Sequence, residues 1–147
     1  MPPTPLSPGQ TPEGAALADR VLAVSRRLRR GWLAALEPWG ITPHHARALR
    51  IIVRENGVRI GALADILHVA PRSATDVVDA LEADGRVRRE PDPGDRRATI
   101  VVATEAGHEL AAVAERARAD HASEVFGALS DPDRAELGRL LDLLLES

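Results

Sequence analysis

Leu17, Val21, Val24, Leu28, Trp32, Leu36 and Trp39 recur at spacings of three and four residues from Gly14 onward. That period gathers them on one face of a long helix, which Pro38 and Gly40 then end. Thr42-Pro43 opens a second helix. A hydroxyl is available to cap its first turn, and the proline stands where its missing N–H costs nothing. Leu49, Ile52 and Val53 give this helix a buried side, and Asn56-Gly57 closes it. Upstream the pattern vanishes: Met1 to Glu13 holds five prolines and almost nothing apolar, the composition of a disordered tail.

Two short segments then repeat one template. Ile60, Leu63, Ala64 and Leu67 fall at i, i+3, i+4 and i+7, and Ala74, Val77, Val78 and Leu81 are spaced to bury the next helix. The connection is the tight run His68-Val69-Ala70, with Pro71 starting the second helix. Two helices joined this way make a helix-turn-helix. Asp84-Gly85 stops the second one; "RVRRE" reads as a strand, "ATIVV" as its return partner and "PDPGD" as the turn between them. A helix-turn-helix followed directly by a hairpin with an arginine pair at its tip is a winged helix. Two more helices follow. Thr104 caps one carrying Leu110, Val113, Ala117, His121 and Val125 on one side. Ser130 caps the last, where Leu137, Leu140, Leu141, Leu143, Leu144 and Leu145 leave little polar face. Exposed, that helix would present a large apolar patch, so it is expected to bury against the first helix, a second subunit, or both.

Composition narrows the function classes. With 147 residues, 44% hydrophobic and 28% charged, the chain has the make-up of a soluble globular domain. No apolar run approaches the ~20 residues of a membrane span and no basic-then-apolar leader is present, so a cytoplasmic protein without a membrane partner is expected. The absence of cysteine excludes disulfides, thiolate metal sites and thiol redox switching. All 19 basic residues are arginine, so there is no lysine nucleophile either. With no phosphate-cradling glycine loop and no triad spacing, neither an enzyme nor a cofactor is expected. The five histidines include His44, His45 and His108, but no pair has the i, i+4 spacing of two ligands on one helix face, and no metal is expected. Net charge is −3. From His44 to Val102, however, ten arginines meet nine acids, and the excess negative charge falls on the flanks.

Leu63 to Gly107, together with "ITPHHARAL" upstream, resembles the MarR family of bacterial transcription regulators. The wing signature, Asp-x-Arg in an acidic-proline turn, stands here as Asp95-Arg96-Arg97. The resemblance covers about half the chain; the outer helices match in order and apolarity rather than in specific residues. It implies a mainly α fold with a small β-hairpin wing, a winged helix-turn-helix flanked by dimerisation helices. The corresponding division is a tail at 1–13, an N-terminal dimerisation helix at 14–41, the DNA-binding domain at 42–103 and C-terminal dimerisation helices at 104–147. It further implies a homodimer on double-stranded DNA, the helix from Pro71 in the major groove, Arg97 in the adjacent minor groove and Asp95 bracing the wing. Arginine suits a narrow minor groove, whose negative potential attracts it.

On the exposed face of the recognition helix stand Arg72, Ser73, Thr75, Asp76 and Asp79. Arg72 can grip guanine bidentately or pair with Asp76 one turn on. Ser73 and Thr75 can contact phosphate or base edges, or simply face solvent. Two positions depart from the family pattern. His68 stands where glycine is common and must tolerate a left-handed backbone or alter the turn. Asp76 stands where relatives carry neutral or basic residues; aimed at DNA it repels phosphate unless it accepts from cytosine or neutralises an arginine. Trp32 and Trp39 are core or interface residues, or else wall a small-molecule pocket with His44 and His45. The expected function is a ligand-responsive DNA-binding regulator, a repressor relieved by a small aromatic or anionic effector at a pseudo-palindromic operator. The alternative is a winged-helix protein–protein module with no operator, which has no need of arginines on both the recognition helix and the wing.

Overall fold

The computed structural model describes residues 13–147. The expected tail therefore lies outside the described residues, except for Glu13, which opens the first helix instead of ending the tail. That helix, α1 (Glu13–Leu36), runs into a 3-10 turn at Glu37–Trp39 and stops at Gly40, whose φ of 63° suits glycine. α2 (Pro43–Arg54) starts as its sequence implies: Thr42 is the N-cap, its hydroxyl accepting from the His45 N–H at 3.2 Å, with Pro43 behind it. α3 (Ile60–Leu67) and α4 (Pro71–Ala83) form the helix-turn-helix. The turn keeps its shape without glycine, because His68 adopts φ 56°, ψ 46°.

The hairpin is longer than its β-branched run suggested. β1 (Val87–Asp92) pairs antiparallel with β2 (Asp95–Ala103), from Val87 opposite Ala103 to Pro91 opposite Thr99. The register then slips, and Asp92 faces Asp95. Of the run expected as turn, only Pro93-Gly94 remains between the strands. Arg96 and Arg97, expected at the tip, lie on β2 itself. Together with Ala98 they occupy the slip between two consecutive partners, a bulge. A third strand segment, absent from the sequence pattern, completes the wing: Val58 and Val101 exchange N–H···O bonds of 3.0 and 2.8 Å.

Leu36, Leu49, Ile52, Leu63, Val78, Leu81, Val87 and Val101 are fully buried. One core thus spans the end of α1, the helix-turn-helix and both wing strands, and each such side chain contributes roughly 1.5–3 kcal/mol by leaving water. α5 (Glu105–Phe126) adds Leu110 and Ala114. Its start is seated against the recognition unit: the Thr104 hydroxyl donates to the Gly85 carbonyl at 2.6 Å and accepts from Gly107 N at 3.1 Å. A Cβ on Gly107 would overlap the Arg86 carbonyl, so only glycine fits that approach. Farther along, α5 crosses α1 with the His121 ring against Gly31.

α6 (Asp131–Leu145), capped by Ser130 as expected, does not bury against α1 of its own chain. Among the described residues none of α6 is buried, and Leu140, Leu141, Leu143, Leu144 and Leu145 are exposed. So are Leu17, Val21, Leu22, Val24 and Leu33 of α1. Of the routes open to these faces, the chain's own first helix is eliminated.

Candidate nucleic-acid interface

α4 buries Ala74, Val77, Val78 and Leu81 and turns Arg72, Ser73, Asp76 and Asp79 outward. Thr75 is half-buried, and its hydroxyl donates to the Pro71 carbonyl at 3.0 Å, one turn back. Arg72 makes no ion pair with Asp76, so the local pairing that would have occupied both is not formed. Ala70, at the N-cap, has no side chain to satisfy the first amides of α4, leaving that helix end open and partially positive.

The remaining acids of this face are taken up by the wing. Arg89 on β1 donates from Nη2 to Asp79 Oδ1 and from Nη1 to Glu82 Oε1, both at 2.6 Å, while its backbone N–H reaches Glu82 Oε2 at 3.0 Å. The hydrogen bond to Asp79 above all, reinforced by Glu82 against the cost of burial, holds the guanidinium above its usual pKa. One arginine thereby fixes β1 to α4 and offsets one of the two negative charges beside the surface that would meet phosphate.

At the wing tip Asp92 is held twice. Its Oδ1 accepts from Gly94 N at 2.9 Å, and its Oδ2 from Arg59 Nε at 2.8 Å and Nη2 at 2.7 Å. The Gly94 amide first and the guanidinium second lower its carboxyl pKa. Asp95 Oδ1 accepts from Arg97 N at 3.0 Å and so braces the bulge. Arg96 and Arg97 are exposed and make no ion pair among the described residues. Of the residues singled out in the sequence, Asp95 and Arg97 are in contact; Arg72, Ser73, Asp76 and Arg96 are exposed and their side chains have no partner among the described residues. Arg59, Arg89 and Asp92 were missed. Arg59 lies 33 positions from Asp92, and nothing local signals that pairing.

Trp32 borders two hollows, one between α1, α2 and α5 and one between α1 and α2. One, of about 300 Å³, is walled by Arg29, Trp32, Arg118, His121 and Phe126. The other, of about 470 Å³, is walled by Arg29, Trp32, His44 and Arg47. The Trp32 Nε1 is buried and has no acceptor among the described residues. Trp39, grouped with these residues in the sequence, is 49% exposed and borders neither hollow. His45 borders neither as well. Burial lowers its pKa, neighbouring His44 adds to the effect, and Asp84 partly offsets it.

The MarR family model matches residues 41–99. An HTH-type transcriptional regulator of Mycobacterium leprae is 37% identical over 99 residues, 67% of this chain and 69% of that one. A mutant MarR from E. coli, solved in complex with operator DNA, superposes with a TM-score of 0.79 at 25% identity, covering 90% of this chain and 96% of that chain. A MarR family protein of Mycobacterium tuberculosis, named a transcriptional repressor and solved in complex with salicylic acid, superposes with a TM-score of 0.69 at 31% identity. That match covers 92% of this chain and 98% of the other.

Proposed function

Because the chain belongs to the MarR family of transcriptional regulators, we propose that it binds a pseudo-palindromic operator as a homodimer. In this reading it represses, and a small aromatic anion releases it. One observation carries the reading. The guanidinium groups of Arg72 on α4 and of Arg96 and Arg97 on the β2 bulge make no ion pair among the described residues, while Arg89 engages Asp79 and Glu82 between them. Residues 42–103 act as the DNA-binding unit. Arg72 and Ser73, with the open end of α4, approach the major groove, while Arg97 enters the minor groove and Asp95 holds it extended. A second copy covers the apolar faces of α1 and α6, and its two-fold symmetry is what makes the operator pseudo-palindromic. The mutant E. coli MarR bound to operator DNA supports this docking. The protein works in the cytoplasm, where its DNA is; among the described residues no helix is long and apolar enough to cross a membrane.

The effector is an aromatic carboxylate held beside Trp32. The ring stacks on Trp32 and Phe126, and the carboxylate meets Arg29. The salicylic acid complex of the mycobacterial relative supports that class of ligand. Filling the space between α1, α2 and α5 changes the separation of the two recognition helices, and fixed half-sites then fit badly. Coupling of about 1–3 kcal/mol weakens operator binding roughly 5- to 150-fold, and linkage requires operator DNA to weaken ligand binding equally. Titration of the tryptophan fluorescence with salicylate, with and without operator duplex, tests this. A response whose affinity drops when operator is added is expected; equal affinity in both states overturns ligand control.

A further inference from the structure

We infer that Asp76 is a base-reading residue that selects cytosine in each half-site, rather than an inert acid at the edge of the interface. The inference rests on the DNA-binding reading and deepens it. Three carboxylates lie on the outward side of α4. Asp79 and Glu82 are both locked by Arg89 at 2.6 Å, so their oxygens are engaged and half of their charge is offset. Asp76 alone is exposed with no arginine partner among the described residues, although Arg72 stands one turn away and is itself free. A bare carboxylate facing phosphate opposes binding, so its presence requires a compensating contact.

An ionised carboxylate can only accept hydrogen bonds. In the major groove the donors are the exocyclic amino groups of cytosine and adenine, and the pairing that suits a carboxylate is cytosine N4. Adenine offers its amino group beside the N7 acceptor, which a carboxylate repels and an amide satisfies. The neighbours fit the same division of labour. The Thr75 hydroxyl is spent on Pro71, leaving its methyl as an apolar contact, and Arg72 is free to grip guanine. Four residues of helix advance about 6 Å along the axis. One turn apart on the same outward face, the two residues are assigned different base pairs of one half-site, a guanine and a cytosine.

Selection of duplexes from a random library by the full-length wild type, Asp76→Asn and Asp76→Ala tests the assignment and needs no operator sequence to begin with. Circular dichroism checks that the variants, altered at an exposed site, remain folded. The wild type is expected to enrich half-sites with cytosine at one position, preferred roughly 5- to 150-fold. Asp76→Asn should move that position toward adenine and leave the others alone. Asp76→Ala should erase the preference there while binding unrelated duplexes more tightly. Identical motifs from all three proteins, with only a uniform gain in affinity for the variants, would overturn the assignment and leave DNA binding intact. An adenine preference in the wild type overturns it equally. No enrichment by the wild type at all overturns the DNA-binding reading and this inference with it.

Discussion

Arg89 Nη2 donates to Asp79 Oδ1 at 2.6 Å, tying the first wing strand to the outer face of the recognition helix. With Glu82 as a second partner, α4 and the first wing strand are joined through one side chain. Exposed ion pairs of this kind contribute only ~0.2–1 kcal/mol each to stability. Arg89→Ala should therefore lower the melting temperature slightly. It should lower DNA affinity much more, roughly tenfold at low salt, since the local charge falls by one unit and both carboxylates are released to face phosphate; the deficit should shrink as salt screens them. Arg89→Lys, unable to span both acids, should recover only part. Melting curves and duplex titrations at several salt concentrations check both statements.

Arg96 and Arg97 should behave as phosphate and groove-potential contacts. Arg97→Ala is expected to weaken binding across related sequences and to reduce the salt slope by about one, and Arg96→Ala to act in the same sense. Arg72→Ala should instead relax preference at one position per half-site, by ~1–3 kcal/mol. Competition titrations with single-base variants of the selected duplex separate the two patterns.

Some features of the fold are written locally. The caps at Thr42, Thr104 and Ser130 and the apolar spacing of α3 and α4 are relations within a few residues, and the structure has each of them. The left-handed His68 follows from a three-residue connection that must turn sharply. What the sequence hides is made by distant partners. The Arg59–Asp92 clamp, the Val58–Val101 bridge and the Arg89 pairings each depend on how the wing folds back over the helices. The pocket was half legible. Trp32 borders both hollows and His44 one of them, but Arg118 and His121 reach Trp32 only in the other, where α1 crosses α5, and Trp39 falls past the end of α1 on the surface.

Stability should fall in mild acid, and His45 should carry part of that fall. Burial, aided by His44, lowers its folded pKa below the unfolded value of about 6.5. Between the two values the unfolded chain binds more protons. The neutral ring's contribution is thus complete above the unfolded pKa and is lost as pH drops toward the folded one. His45→Gln should flatten the slope of melting temperature against pH between about 5 and 7. An unchanged slope would show that His45 carries none of it. Asp92, whose pKa is also lowered, is a carboxyl: its contribution is present above its unfolded value of about 3.9 and is lost only below that.

Ending the chain after Arg139 removes the exposed leucines from Leu140 to Leu145, which in the proposed dimer cover the apolar face of α1. The truncated protein is expected to aggregate or to lose its dimer, as read by sedimentation. A folded, soluble monomer would argue against a shared helical interface.

A footprint on the DNA flanking the protein's own gene, by the wild type and by an Arg72→Ala, Arg97→Ala double variant, is the most direct test of a two-element grip on a two-fold operator. Expected is wild-type protection of two inverted half-sites with centres about one helical turn, ~10 bp, apart, and its loss in the double variant at the same protein concentration. Wild-type protection that the double variant reproduces in full would contradict the two-element grip.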